Sequence, residues 1–134
     1  NLLKEIISSD YVPIITPMGT DYNGQAYNIN ADTAAGALAI SIKSRRLLFV
    51  TDVEGVFDKN EKLISEINTM EAKKMINEKI IHGGMIPKIK TCINAINQGV
   101  RGVVIIDGRR PHSILFELLS DQGAGTLIRK WKIW

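Results

Sequence analysis

Residues 87–108 read PKIKTCINAINQGVRGVVIIDG. Ile89, Cys92, Ile93 and Ile96 fall at i, i+3, i+4 and i+7, the spacing of one buried face of an α-helix. Gly99 stops that helix, and Pro87 is expected at its first position, where a missing N–H does no harm. Val103–Ile106 is then an uninterrupted apolar run, too short for a helix, and reads as a strand buried on both faces. It ends at Asp107-Gly108-Arg109-Arg110, which is polar and carries a glycine. A helix feeding a fully buried strand is the repeating unit of a parallel sheet covered by helices.

The alternation continues outward. Leu47–Val50 reads as another buried strand, closing on Thr51-Asp52-Val53-Glu54-Gly55, and Tyr11-Val12-Pro13-Ile14-Ile15 as a third. Between them, Asn23-Gly24 within residues 18–27 signals a hairpin. Asn30 or Asp32 then caps an alanine-rich helix from about Thr33 to Lys43, in which Gly36 marks close packing. Residues 58–61 (Asp-Lys-Asn-Glu) suggest a second hairpin, and Thr69 is expected to cap a helix reaching about Lys79. A helix from about Pro111 to Leu119 and a strand near Leu127-Ile128 follow, and a short amphipathic opening (Leu2, Leu3, Ile6, Ile7) precedes everything. The expected fold is α/β: three layers, α/β/α, with a mainly parallel sheet plus a β-hairpin. In such sheets ligands bind beyond the carboxyl ends of the strands, here Thr51–Gly55 and Asp107–Arg110.

The 134 residues, 45% hydrophobic and 23% charged, suit one globular domain, and no repeat or linker divides them. No apolar run is long enough for a membrane helix. Cys92 is the only cysteine and lies on the buried helical stripe, so it reads as inert core in a reducing compartment. With only His82 and His112 besides, no zinc site is expected. The net charge of +3 is uneven: residues 1–67 hold 6 Lys/Arg against 9 Asp/Glu, residues 68–134 hold 11 against 5. Nucleic acid is not the expected partner, since no block of five like charges occurs and aromatics meet basic residues only in the tail Arg129-Lys130-Trp131-Lys132. The chain opens Asn-Leu-Leu without an initiator Met, as expected of a processed or truncated piece.

Two stretches could carry chemistry. Asn28-Ile29-Asn30-Ala31-Asp32 puts an amide and a carboxylate at a helix entrance, which suits anion binding, although plain capping is the more ordinary role for such residues. In Gly83-Gly84-Met85-Ile86-Pro87-Lys88, two glycines let backbone approach a phosphate chain, and Lys88 stands against the positive end of a helix dipole, where an anion would neutralise both. A glycine turn followed by a solvated lysine is the alternative. No G-x-x-x-x-G-K-[ST] run is present, so P-loop chemistry is not supported. His82 reads as an exposed loop residue or a pocket wall, His112 as a first-turn residue, and Gly123-Ala124-Gly125-Thr126 as a turn or a nest for a carboxylate.

In order and spacing, Asn28-Ile29-Asn30-Ala31-Asp32-Thr33-Ala34-Ala35, Thr51-Asp52-Val53-Glu54-Gly55-Val56 and Gly83-Gly84-Met85-Ile86-Pro87-Lys88 resemble the amino acid kinase family. Within it they look most like the branch that phosphorylates the side-chain carboxylate of N-acetyl-L-glutamate in arginine biosynthesis. Ile105-Ile106-Asp107-Gly108-Arg109, His112 and Gly123-x-Gly125-Thr126 extend the match over about residues 5–130. It corresponds to the carboxyl-terminal part of longer enzymes. The resemblance therefore implies a single ATP-binding lobe over residues 1–134, with the amino-terminal substrate lobe absent from this chain and the chain inactive alone.

The resemblance also implies roles. Lys88 would stabilise the transferring phosphoryl group, Asp32 would organise catalytic lysines, and Asn28 would bind the substrate. Asp52, Val53, Glu54, Gly55, Val56 and Phe57, with Ile81, His82, Gly84 and Met85, would line ATP, and Mg²⁺ would arrive with it rather than in a protein-only cage. His112, Gly123 and Gly125 would belong to an arginine effector site. A homo-oligomer, a PII-type signalling partner and a cytoplasmic or plastid-stromal location follow from the same likeness, with no membrane partner. A non-catalytic nucleotide- or effector-binding module of this fold is the alternative function.

Overall fold

The computed structural model describes residues 2–130. Helix α1 (Leu2–Ser8) buries none of its residues. The hairpin of β1 (Met18–Thr20) and β2 (Ala26–Asn28) turns where Asn23-Gly24 predicts it. Its loop is shaped by Asp21, whose Oδ1 accepts the N–H groups of Asn23 (2.9 Å) and Gln25 (3.0 Å). Helix α2 (Ala31–Ser41) starts on Asn30, whose side chain accepts the Thr33 N–H at 3.0 Å; Asp32 sits in the first turn instead of capping it.

After α2 come β3 (Arg46–Thr51), the paired short strands β4 (Val56–Phe57) and β5 (Leu63–Ile64), β6 (Glu66–Asn68), α3 (Thr69–Asn77), α4 (Met85–Asn97), β7 (Gly102–Asp107), α5 (Ser113–Leu119) and β8 (Gly125–Arg129). The main sheet has the order β3-β7-β8-β6. Val103, Ile105 and Phe49 point to one face, where α2, α3 and α4 bury Ala39, Ala72, Ile89, Cys92, Ile93 and Ile96. Val104 and Ile106 point to the other, into a smaller cluster with Ala124, and α5 packs on β7 as the third layer. Ile89, Cys92, Ile93 and Ile96 are all buried, as their spacing requires.

Several boundaries differ from the sequence reading for physical reasons. Residues 11–15 form no strand: Tyr11, Val12, Ile14 and Ile15 are 72%, 89%, 94% and 50% exposed. No strand among the described residues lies alongside them, and Pro13 and Pro17 withdraw two donors from any ladder. Pro87 is the third residue of its helix, not the first. That is tolerated because the first turn's N–H groups have no intrahelical partner anyway. Asn68, not Thr69, caps α3. Its Oδ1 accepts from the N–H groups of Met70 and Glu71 (both 2.9 Å), while its own N–H donates to the Glu71 carboxylate at 3.0 Å. The strand β6 that precedes it, Glu66-Ile67-Asn68, has one apolar residue and no readable alternation.

The sheet is parallel at β3–β7 and β6–β8 but antiparallel at β7–β8. Between β7 and β8 the chain passes through α5 and two short loops without crossing back to the start of β7. It re-enters the sheet at Gly125, opposite Ile106, and runs back down.

Candidate functional site

The α2 and α4 helices cross where Gly36 meets Thr91. A Cβ on Gly36 would stand 2.8 Å from Thr91 Cγ2, so the absence of a side chain lets the helices approach. Asp32 lies four residues before Gly36 and Lys88 three before Thr91, so each emerges one turn toward the helix N-terminus on the facing side. They meet: Lys88 Nζ donates to Asp32 Oδ2 at 2.6 Å, with side chains 16% and 31% exposed. Gly84 gives α4 no side-chain cap, and no acidic residue stands in its first turn. The counter-charge for Lys88 therefore comes from the neighbouring helix. The Phe49 ring lies beneath the same ammonium, its centroid 5.2 Å from Nζ.

Met85, three residues before Lys88 and on the same side of α4, lines a cleft of about 530 Å³. Val53, Gly55, Val56 and Phe57 line it, together with Ile81, His82 and Met85. Asp52, Glu54 and Gly84, expected with them, are not on the wall, whereas Asp58, Glu61 and Ile80 are. His82 Nδ1 lies 3.1 Å from the Ile80 carbonyl oxygen, a contact that an Nδ1–H makes as donor. Nothing lies within 4 Å of where a Cβ would stand on Gly83 or Gly84, so the backbone there is open to a ligand.

The β4–β5 wall is anchored by Thr126, which is completely buried. Its hydroxyl accepts the Val56 N–H (2.8 Å) and donates to the Ile64 carbonyl (2.6 Å), tying both short strands to β8. At the wall's tip Asp58 Oδ1 accepts the N–H groups of Asn60 (2.8 Å) and Lys62 (2.9 Å), which hold its carboxyl below the ordinary range. The sequence places Thr126 in a turn or a carboxylate nest; its neighbours in space are 62 and 70 residues away in the chain.

The other expected residues disperse. Asn28 ends β2, exposed, four residues ahead of Asp32. Asp52 accepts from the Thr51 hydroxyl at 3.1 Å on the loop after β3. At the end of β7, Asp107 accepts the Nε and Nη2 of Arg109 and its backbone N–H, each at 2.9 Å. The guanidinium first, then the backbone N–H, lowers the Asp107 carboxyl from 3.8 to about 2. A depressed carboxylate stabilises the fold above its unfolded pKa and loses that contribution as pH falls through its folded one. Acidification from pH 3.8 to about 2 should thus lower the urea midpoint more in the wild type than in Arg109→Ala. Equal slopes in the two proteins would contradict this assignment.

Gly123 and Gly125 line a second cleft of about 220 Å³ with Arg46, Glu66, Glu117 and Asp121; His112 is not on its wall. Glu117 is buried, accepting Arg46 Nη1 (3.2 Å) and the Ala124 N–H (2.8 Å), and Arg129 pairs with Glu66. Cys92 is completely buried, and burial pushes its thiol up to about 12, so it stays neutral and unreactive. Among the described residues, no group of three or more His, Cys, Asp or Glu side chains could hold a metal. No helix among them is long and apolar enough to cross a membrane. Trp131 and Lys132 of the basic–aromatic tail lie outside the described residues.

Comparison with known proteins gives consistent results. The model of the amino acid kinase family matches residues 1–107. The chain is 57% identical over 128 residues to acetylglutamate kinase of Pelagibacter ubique, covering 96% of this chain and 44% of that protein. It is 52% identical over 129 residues to acetylglutamate kinase of Rhodopseudomonas palustris, covering 96% and 43%. The chain thus spans less than half the length of these curated relatives. Among solved structures, N-acetylglutamate synthase from Neisseria gonorrhoeae, complexed with coenzyme A and L-arginine, superposes with a TM-score of 0.91 at 25% identity. That match covers 97% of this chain and 30% of the other. Carbamate kinase from Giardia lamblia bound to AMP-PNP superposes at 0.74 and 21% identity, over 97% and 48%, a likeness of fold.

Proposed function

The chain belongs to the amino acid kinase family, and on that premise we propose that it is the nucleotide-binding lobe of an acetylglutamate kinase. In the full-length protein this lobe serves ATP-dependent phosphorylation of the side-chain carboxylate of N-acetyl-L-glutamate; alone it is inactive. The observation that carries the reading is the Lys88–Asp32 pair at 2.6 Å, on the first turns of two converging helices and one turn from the cleft lined by Met85. Identity of 57% to a curated acetylglutamate kinase supports the choice of substrate.

The residues suit the chemistry. The cleft's volume and its Val53, Val56, Phe57 and Ile81 walls are those of a small-molecule site and fit a flat base. Bound ATP supplies the phosphoryl group, with Mg²⁺ carried on its phosphates. Phosphoryl transfer needs positioning and charge neutralisation more than covalent help, and Lys88 provides a fixed positive charge for it. Asp32 holds that ammonium in place, and Asn30 in turn fixes the start of the helix that carries Asp32. The acceptor carboxylate, with an ordinary pKa of about 4.3, is already ionised at neutral pH, so no general base is required. Asn28 offers an amide to the substrate on the Asp32 side. The open backbone at Gly83-Gly84, just before α4, gives the phosphates room.

A second reading rests on the superposition with a synthase bound to L-arginine: an effector-binding module that does not transfer phosphate. The cleft bearing Glu66, Glu117 and Asp121 offers carboxylates to a guanidinium, although Arg46 and Arg129 already engage two of them. Arginine control, a homo-oligomer, a PII-type partner and a cytoplasmic location belong to the proposal as consequences of the kinase reading. The full-length protein incubated with ATP and N-acetyl-L-glutamate should release ADP and form an acyl phosphate trapped by hydroxylamine. ATP or arginine binding without acyl phosphate would favour the second reading.

A further inference from the structure

We propose that Phe49 is a positioning residue for the Lys88 ammonium, holding it by a cation–π contact from below while Asp32 holds it from the side. The inference rests on the catalytic reading of Lys88 given above.

Phe49 occupies the middle of β3, paired in parallel register with Ile105, and is 4% exposed. Its backbone is fixed by the sheet and its ring by the core, so the ring cannot follow a wandering lysine. Lys88 Nζ stands 5.2 Å from the ring centroid, within the ~6 Å reach of a cation–π contact. The Lys88 side chain is only 16% exposed, so the ammonium has lost much of its water, and the attraction of the ring's negative face is stronger there than at the surface. Cys92, one turn farther along α4 and completely buried, is a neutral thiol and offers no competing anion.

The contact has a consequence that a second carboxylate would lack. An ammonium has three N–H donors, and Asp32 takes one at 2.6 Å. The ring draws the charge without using a conventional acceptor, which leaves donors for phosphate oxygens. A second carboxylate would fix Lys88 equally well, but would cancel the charge the reaction needs and repel the phosphates. An aliphatic residue would fill the space while leaving the four-carbon stem free to swing about Asp32.

The test uses the full-length protein with mono-, di- and trifluorophenylalanine at position 49, together with Phe49→Leu and Lys88→Ala. Fluorine drains the ring's negative face while keeping its shape and increasing its apolarity. A packing role would leave turnover flat along the series. A positioning role predicts a stepwise fall in kcat, about fivefold by the trifluoro member, with the KM for ATP unchanged and the urea midpoint constant. In protein labelled at lysine Cε, the Lys88 ε-methylene resonance should show an upfield ring-current shift that Phe49→Leu abolishes. Flat kcat along the series, or no ring-current shift, overturns the proposal even if Lys88→Ala is inactive. Full turnover in Lys88→Ala instead overturns the catalytic reading itself.

Discussion

Lys88→Ala in the full-length protein is expected to lower turnover about 10²–10³-fold, the usual loss when one preorganised group facing a charged transition state is removed. The prediction follows from burial and pairing. The ammonium is mostly withdrawn from solvent and fixed at 2.6 Å from Asp32, so no reorganisation is needed when charge moves between phosphoryl oxygens. Water filling the truncated site would have to orient for each turnover. Nucleotide affinity should change by less than about threefold, because Lys88 is not on the wall of the cleft that would hold the base. The loss should therefore appear in kcat and in kcat/KM alike, measured by ADP release, with ATP binding followed separately by calorimetry. Unchanged kcat would remove Lys88 from the mechanism; a loss confined to KM for ATP would make it a binding residue only.

Gly125→Ala should destabilise the fold by on the order of 3 kcal/mol, through overpacking at a point that cannot relax. A Cβ there would sit inside the contact distance of the Ile105 carbonyl oxygen and 3.0 Å from that of Glu54. Both obstacles are backbone. One belongs to the central strand β7, the other to the loop that enters the cleft wall, so neither can swing aside as a side-chain tip would. Gly125 opens β8 opposite Ile106, and moving it disturbs the pairing next to Thr126, which anchors both short strands. Urea unfolding followed by circular dichroism measures the effect, and a midpoint equal to wild type would show that the strands yield more easily than their packing implies. The resemblance attached Gly125 to an effector site, but backbone approach alone already requires a glycine there.

The sequence disclosed most where one element's own pattern decides its state. The α4 stripe and the β7 run were readable because periodicity and continuity are properties of a single segment. The apolar run at Tyr11–Ile15 misled because such a run states what a strand would bury, not whether a neighbour exists to pair with it. β6 escaped because three residues with one apolar member carry no period. The direction of β8 depends on which end of the sheet the chain re-enters, which no local pattern states. The site divides in the same way. Lys88 against a helix dipole is a local oddity and Asp32 an ordinary first-turn acid, both visible in sequence, while their contact across 56 residues depends on a glycine-sized gap between helices. Phe49 and Thr126 look like ordinary core residues, and only the fold supplies the ammonium and the N–H that they hold.

The strand order has a bearing on biosynthesis. β8 is the last strand among the described residues, yet it lies between β7 and β6 in the sheet. During translation β3 and β7 can join as soon as residue 107 has left the ribosome, but β6, made some 60 residues before its partner, must wait for residues 125–129. Until then the short strands have no Thr126 to hold them, and the nascent half-sheet has a β7 edge still waiting for β8. Closure of this lobe is therefore a late, long-range event, of the kind that slows folding and gives chaperones time to engage.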